Sequence, residues 1–107
     1  MNVQKLMKEA QRAQQKMAEA QARLASMSVE GNAGGGLVRV TATGDGTITA
    51  VAIEPAAVDT DDLSLLEDLV TAAIADAQRR SRELQEQEMG SAMGGAMGGL
   101  GNLPGML

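Results

Sequence analysis

The chain has 107 residues, a formal net charge of −5, and no Phe, Tyr, Trp, His or Cys. That length holds one small domain, and the missing Cys excludes a disulfide framework and thiolate metal sites. Without His the commonest metal ligand and the usual general base near neutral pH are gone, and without rings any core must be built from Leu, Ile, Val, Met and Ala.

Residues 2–27 are predicted to form one helix. Apolar positions fall at Val3, Leu6, Ala10, Ala13, Met17, Ala20, Leu24 and Met27, the alternating three-and-four spacing of a seam that packs on another helix. Ala, Gln, Lys, Glu and Met fill the rest, all good helix formers. Such a helix is a rod of about 39 Å, longer than a sheet of short strands can cover, so part of it is expected to project. Lys5, Lys8 and Glu9 interrupt the opening segment, so no signal peptide is read there. No run approaches the ~18 apolar residues of a membrane span, and a cytoplasmic protein with no membrane partner is expected.

A short strand is expected near 28–31, followed by a glycine break, Gly34-Gly35-Gly36. From Leu37 to Thr43 the chain alternates, with Val38, Val40 and Ala42 on one face. Gly44-Asp45-Gly46 contains the favoured Asp-Gly hairpin pair. The return strand runs from Thr47 to Glu54, with Val51 and Ile53 on its expected core face, and Pro55 ends it. A second helix is expected from about 61 to 89, with Asp59, Thr60, Asp61 and Asp62 as its starting chemistry and Ser64 and Glu67 at capping-box spacing. Its apolar stripe is dense up to Ala77 and thins afterwards, so its last turns are expected to face solvent. Gly90 is expected to stop it.

The order of elements predicts an α+β fold: a helix, a three-stranded antiparallel sheet and a second helix. A monomer of this size hides only roughly 60–70% of its unfolded surface, and self-association into a homodimer with projecting helices is the natural remedy. Residues 1–89 form the expected domain. Residues 90–107, rich in Gly and Met, are expected to be a disordered tail, because ordering so much glycine costs too much entropy.

Charge is unevenly placed. Residues 1–27 carry Lys5, Lys8, Arg12, Lys16 and Arg23 against Glu9 and Glu19, a local +3, while the remainder holds four arginines against twelve acids, a local −8. At about 100° per residue the five cations share one stripe, about a quarter-turn from the apolar seam. Such a stripe can follow a phosphate backbone. It can equally be a solvated face, since Glu9 and Glu19 sit within intrahelical pairing distance. Arg79, Arg80 and Arg82 make a second cluster, with Glu83 and Glu86 available as partners.

Enzyme readings fail on chemistry. The glycines at 34–36 precede a strand, whereas phosphate loops use a helix N-terminus. Asp59, Asp61 and Asp62 lack the Gly and Glu positions of a calcium loop, which hold Ser64 and Val70. No nucleophile has a base beside it. No enzyme activity, cofactor, metal or small-molecule substrate is expected. Without rings there is no platform on which single-stranded bases stack, so nucleic-acid binding should be directed at the duplex and led by its backbone.

Four segments in register resemble a bacterial family. They are Leu6-Met7-Lys8-Glu9-Ala10-Gln11 through Gln15-Lys16-Met17, Gly36-Leu37-Val38-Arg39-Val40-Thr41, Val51-Ala52-Ile53-Glu54-Pro55, and Leu66-Glu67-Asp68-Leu69-Val70-Thr71-Ala72-Ala73. Together they resemble the YbaB/EbfC-type nucleoid-associated proteins over roughly residues 3–89. The resemblance implies a homodimer with projecting helix pairs and binding of double-stranded DNA with little sequence preference, in the service of nucleoid organisation or gene regulation. Both terminal helices are implicated in that family, which maps DNA contact onto Lys5, Lys8, Arg12 and Lys16, and onto Arg79, Arg80 and Arg82. The alternative function is a protein-interaction module serving recombinational repair or replication proteins, with no direct DNA binding.

Overall fold

The computed structural model describes residues 2–97, with side chains through Ala92. Helix α1 spans Val3–Ser26. The Asn2 side chain caps it, accepting a hydrogen bond from the Lys5 N–H at 3.2 Å. Three strands follow, β1 (Ser28–Ala33), β2 (Val38–Thr43) and β3 (Ile48–Ile53). They form an antiparallel meander in the order β1-β2-β3, with Gly31 opposite Val40 and Val40 opposite Val51. Gly34, Gly35 and Gly36 make the first connection at φ of 64°, 67° and 96°, a left-handed conformation that side chains resist. In the second connection the Asp45 carboxylate accepts from the Thr43 hydroxyl and from the Thr47 N–H. A register shift between Thr41 and Ala42 bulges β3 at Thr49.

After a short 3-10 turn at Pro55–Ala57, helix α2 runs from Leu63 to Met97. It crosses β1 and β2 on one face of the sheet. Val38, Val40 and Ala42 point into this layer and are buried against Ala73 and Ala77. The approach is close because both surfaces are small. A Cβ on Gly31 would lie 2.6 Å from the carbonyl oxygen of Ala73 and closer still to the backbone N of Ala77. Farther along α2, the buried Ser81 hydroxyl donates to the carbonyl oxygens of Thr43 and Gly44 at 3.1 and 2.9 Å. Gln85 Nε2 reaches the same Gly44 oxygen at 3.0 Å. These bonds pin the β2–β3 hairpin to the helix.

The end of α1 closes on the same hairpin, where Leu24 lies against Gly44. From there α1 runs antiparallel to the second half of α2, with Arg23 beside Glu88 and the Lys16–Arg23 stretch beside Ser91 and Ala92. Burial along the α1 seam fades toward its start. Leu24 and Ala20 are buried and Met17 and Ala13 are half-buried, whereas Leu6 and Val3 are 53% and 66% exposed. The result is a thin, elongated molecule of 71 × 29 × 15 Å.

Helix, antiparallel meander and helix follow the sequence reading, and four details differ. Asp62, one of the residues expected to start α2, does so, its carboxylate accepting from the Leu65 N–H at 3.4 Å and the Ser64 hydroxyl at 2.8 Å, and Ser64 with Glu67 does not form the capping box. The last turns of α2 do not face solvent all round, because Leu84, Gln85, Glu88 and Met89 are half-buried. Gly90 does not stop the helix, which continues to Met97. Val51 and Ile53 are on the helix-facing side of the sheet, as their alternation predicts. They remain 45% and 43% exposed there, because α2 lies over β1 and β2 and leaves β3 open. The expected disordered tail lies, from residue 98 onward, outside the described residues.

Candidate nucleic-acid interface

The cations divide into two populations. Lys5, Lys8, Arg12 and Lys16 are exposed on α1, and among the described residues none of them makes an ion pair. The heptad spacing explains their common face. The apolar seam turns toward α2, and the cations, a quarter-turn away, are left to solvent. From Lys5 to Lys16 the stripe is about 17 Å long, the axial rise of about five phosphates on one DNA strand.

The arginines of α2 are differently placed. Arg79 contacts Asp76 at 2.6 Å and Glu83 at 2.8 Å, and Arg80 contacts Asp76 at 3.1 Å. Asp76 also accepts the backbone N–H of Asn32 on β1 at 3.0 Å. That N–H, with Arg79 and then Arg80, holds the Asp76 carboxyl well below its usual value, at about 2. Asp76 and Glu83 in turn raise Arg79. This cluster clasps the edge strand β1 to α2. Arg23 is also engaged, 3.2 Å from Glu88. Arg82 is exposed and has no ion pair among the described residues. The fold thus brings the four α1 cations onto one free face and turns Arg79 and Arg80 into an internal clasp.

Acidic groups collect elsewhere. Residues 40–78 hold eight acids and no Lys or Arg. Six of them, Glu54, Asp59, Asp61, Asp62, Glu67 and Asp68, lie in the 3-10 turn region and the start of α2. Since α1 packs antiparallel on the far half of α2, this acidic end and the cationic tip of α1 are at opposite ends of the molecule. Among the described residues no group of three or more Asp or Glu side chains is placed to hold a metal ion, and no helix is long and apolar enough to cross a membrane.

Sequence reasoning found the α1 stripe but missed the Asp76 clasp. The acid lies three and four residues before Arg79 and Arg80, a spacing that signals pairing. The β1 backbone N–H that completes the site leaves no mark in the sequence.

Fold and charge placement define a class: a helix–meander–helix protein that presents free cations on one projecting helix. The chain belongs to the YbaB/EbfC DNA-binding family, whose model matches residues 1–97. It is 49% identical over 110 residues to a nucleoid-associated protein of Saccharopolyspora erythraea, covering 98% of this chain and 94% of that protein. It is 50% identical over 101 residues to a nucleoid-associated protein of Mycobacterium sp. (strain KMS), covering 94% and 90%. The fold is similar to the crystal structure of the uncharacterized protein HP0035 from Helicobacter pylori, with a TM-score of 0.76 at 16% identity, covering 88% of this chain and 99% of that one.

Proposed function

We propose that the protein binds duplex DNA with little sequence preference through α1 of two joined copies, and that it contributes to nucleoid organisation or gene regulation. The observation that carries this reading is the free cationic face of α1, four side chains without partners among the described residues on one side of a projecting rod. A row of point charges at that spacing neutralises successive phosphates and releases their counterions. It offers no bidentate arrangement that distinguishes one base edge from another. The acidic opposite end keeps the remainder of the molecule off the polyanion.

Arg82 can join this surface without breaking an existing bond. The charges of Arg79 and Arg80 are already offset, Arg79 by Asp76 and Glu83 and Arg80 by Asp76, so their share of affinity is the smaller one. The test is an anisotropy titration of pure protein into a labelled duplex of random sequence. Micromolar or tighter binding at 50 mM salt that weakens steeply by 200 mM supports the reading. No binding by the pure protein, with nuclease-resistant capture of repair or replication proteins, would replace it with the protein-interaction alternative.

A further inference from the structure

The cation row of α1 does not end at Lys16. Arg23 lies about 10 Å farther along the helix and about five full turns from Lys5, so it stands in line with the other four. It differs from them in one respect. Its Nε is 3.2 Å from the Glu88 carboxylate of α2, whereas Lys5, Lys8, Arg12 and Lys16 make no ion pair among the described residues.

The place where Arg23 sits suits a phosphate chain in shape. Arg23, Lys16 and Glu19 line a groove of about 190 Å³ between the helices, to which α2 contributes Ser91 and Ala92 among the described residues. Lys16 also borders a second hollow of about 320 Å³ nearer the tip, together with Glu9, Arg12 and Ala13. The two hollows meet at Lys16, so a backbone seated on Arg12 and Lys16 is directed toward Arg23. Ser91 and Ala92 are small, and neither adds a negative charge to the groove.

Charge is what closes it. The Arg23 side chain is 50% exposed and the Glu88 side chain only 19%. The guanidinium is free to swing toward solvent, but the carboxylate is not. A covered carboxylate is poorly hydrated and is costly to leave without its partner. While the pair holds, Arg23 adds no net positive charge to the row and releases no counterion.

We propose that Glu88 masks Arg23 and thereby sets how far along α1 the DNA backbone is gripped. With the carboxylate in place the row stops at Lys16, and with it neutralised the row extends to Arg23. The proposal rests on the DNA-binding reading above and names the residue that limits it. Glu88 is a positioning residue that acts through Arg23 and does not itself touch the DNA.

Anisotropy titration of a labelled random duplex at several salt concentrations tests the masking. Four free cations on each of two rods give a slope of log affinity against log salt of about −7, and five give about −9. Glu88→Gln should therefore steepen the slope to about −9 and tighten binding at 50 mM salt by at least about tenfold. Glu88→Ala should give the same slope. Glu88→Gln combined with Arg23→Gln should return it to about −7, because the gain belongs to Arg23. Glu86→Gln removes the same charge from an exposed side chain of α2 that has no ion pair among the described residues, and should stay near −7. Melts followed by circular dichroism check that each variant folds.

A steeper slope in both Glu88 variants, abolished by the added Arg23→Gln, supports the proposal. An unchanged slope in the Glu88 variants overturns it and leaves the DNA-binding reading standing. A steeper slope that persists without Arg23, or that Glu86→Gln reproduces, also overturns it, because the effect is then one of overall charge. Absence of DNA binding by the wild-type protein overturns both.

Discussion

Changing Lys5, Lys8 and Arg12 together to Ala isolates the electrostatic claim. Each side chain is exposed and unpaired among the described residues, and Ala is the better helix former, so the variant should fold as the wild type does. Four free cations on α1 make eight in a two-copy assembly. At about 0.9 of a logarithmic unit per neutralised phosphate, the plot of log affinity against log salt should have a slope of about −7. Affinity then falls by about 10⁴ between 50 and 200 mM salt. In the variant only Lys16 remains on each rod. The slope should shrink to about −2, and the same salt change should cost only about tenfold. Fluorescence anisotropy on one random duplex at four or five salt concentrations measures both slopes. Equal slopes for the two proteins would refute the reasoning and move the contact off α1.

Arg79→Ala combined with Arg80→Ala should change the salt slope little, because both side chains are already occupied. Its main effect should be a lower thermal midpoint, and a large loss of slope would show that these arginines leave their clasp for DNA. Asp76→Asn should lower the midpoint at pH 7 and flatten the acid limb of the stability curve. The carboxyl is held at about 2 against 3.8 for a free Asp, so its contribution is complete above about pH 4 and is lost as pH falls toward 2; an unchanged acid limb in chemical denaturation argues against the clasp. Gly31→Ala should cost about 3 kcal/mol or more, because the new methyl meets the α2 backbone, and a melt at the wild-type midpoint would contradict that packing. Ser81→Ala should cost about 1 kcal/mol by removing the hydroxyl from the Thr43 carbonyl, measured by urea denaturation.

The sequence made much of this legible because its local signals agree. The three-and-four spacing marks α1, period-two alternation marks β2, and Asp45-Gly46 marks the hairpin. The packing of the second half of α2 was hidden because polar residues share in it: Ser81 bonds the β2–β3 hairpin, Glu88 pairs with Arg23, and Gln85 lies with Met89 beside Gln21 and Leu24. Polar and small residues at seam positions look like a solvated face to a hydrophobic pattern. Gly31 was equally silent, since its role is the missing Cβ that lets β1 touch α2. On β3 the period-two pattern correctly put Val51 and Ile53 on the core side. Pattern alone cannot tell whether the same chain supplies the cover, and here α2 does not reach that far. The helix beyond Gly90 went unpredicted because a glycine costs a helix only about 1 kcal/mol, too little at a single position to force an end there.

Titrating a short random duplex into isotope-labelled protein and following each backbone amide locates the DNA contact residue by residue. The largest shifts should fall between residues 3 and 16, with residues 54–68 at the acidic end unmoved. Shifts centred on the sheet or on the start of α2, with the first half of α1 silent, would contradict it.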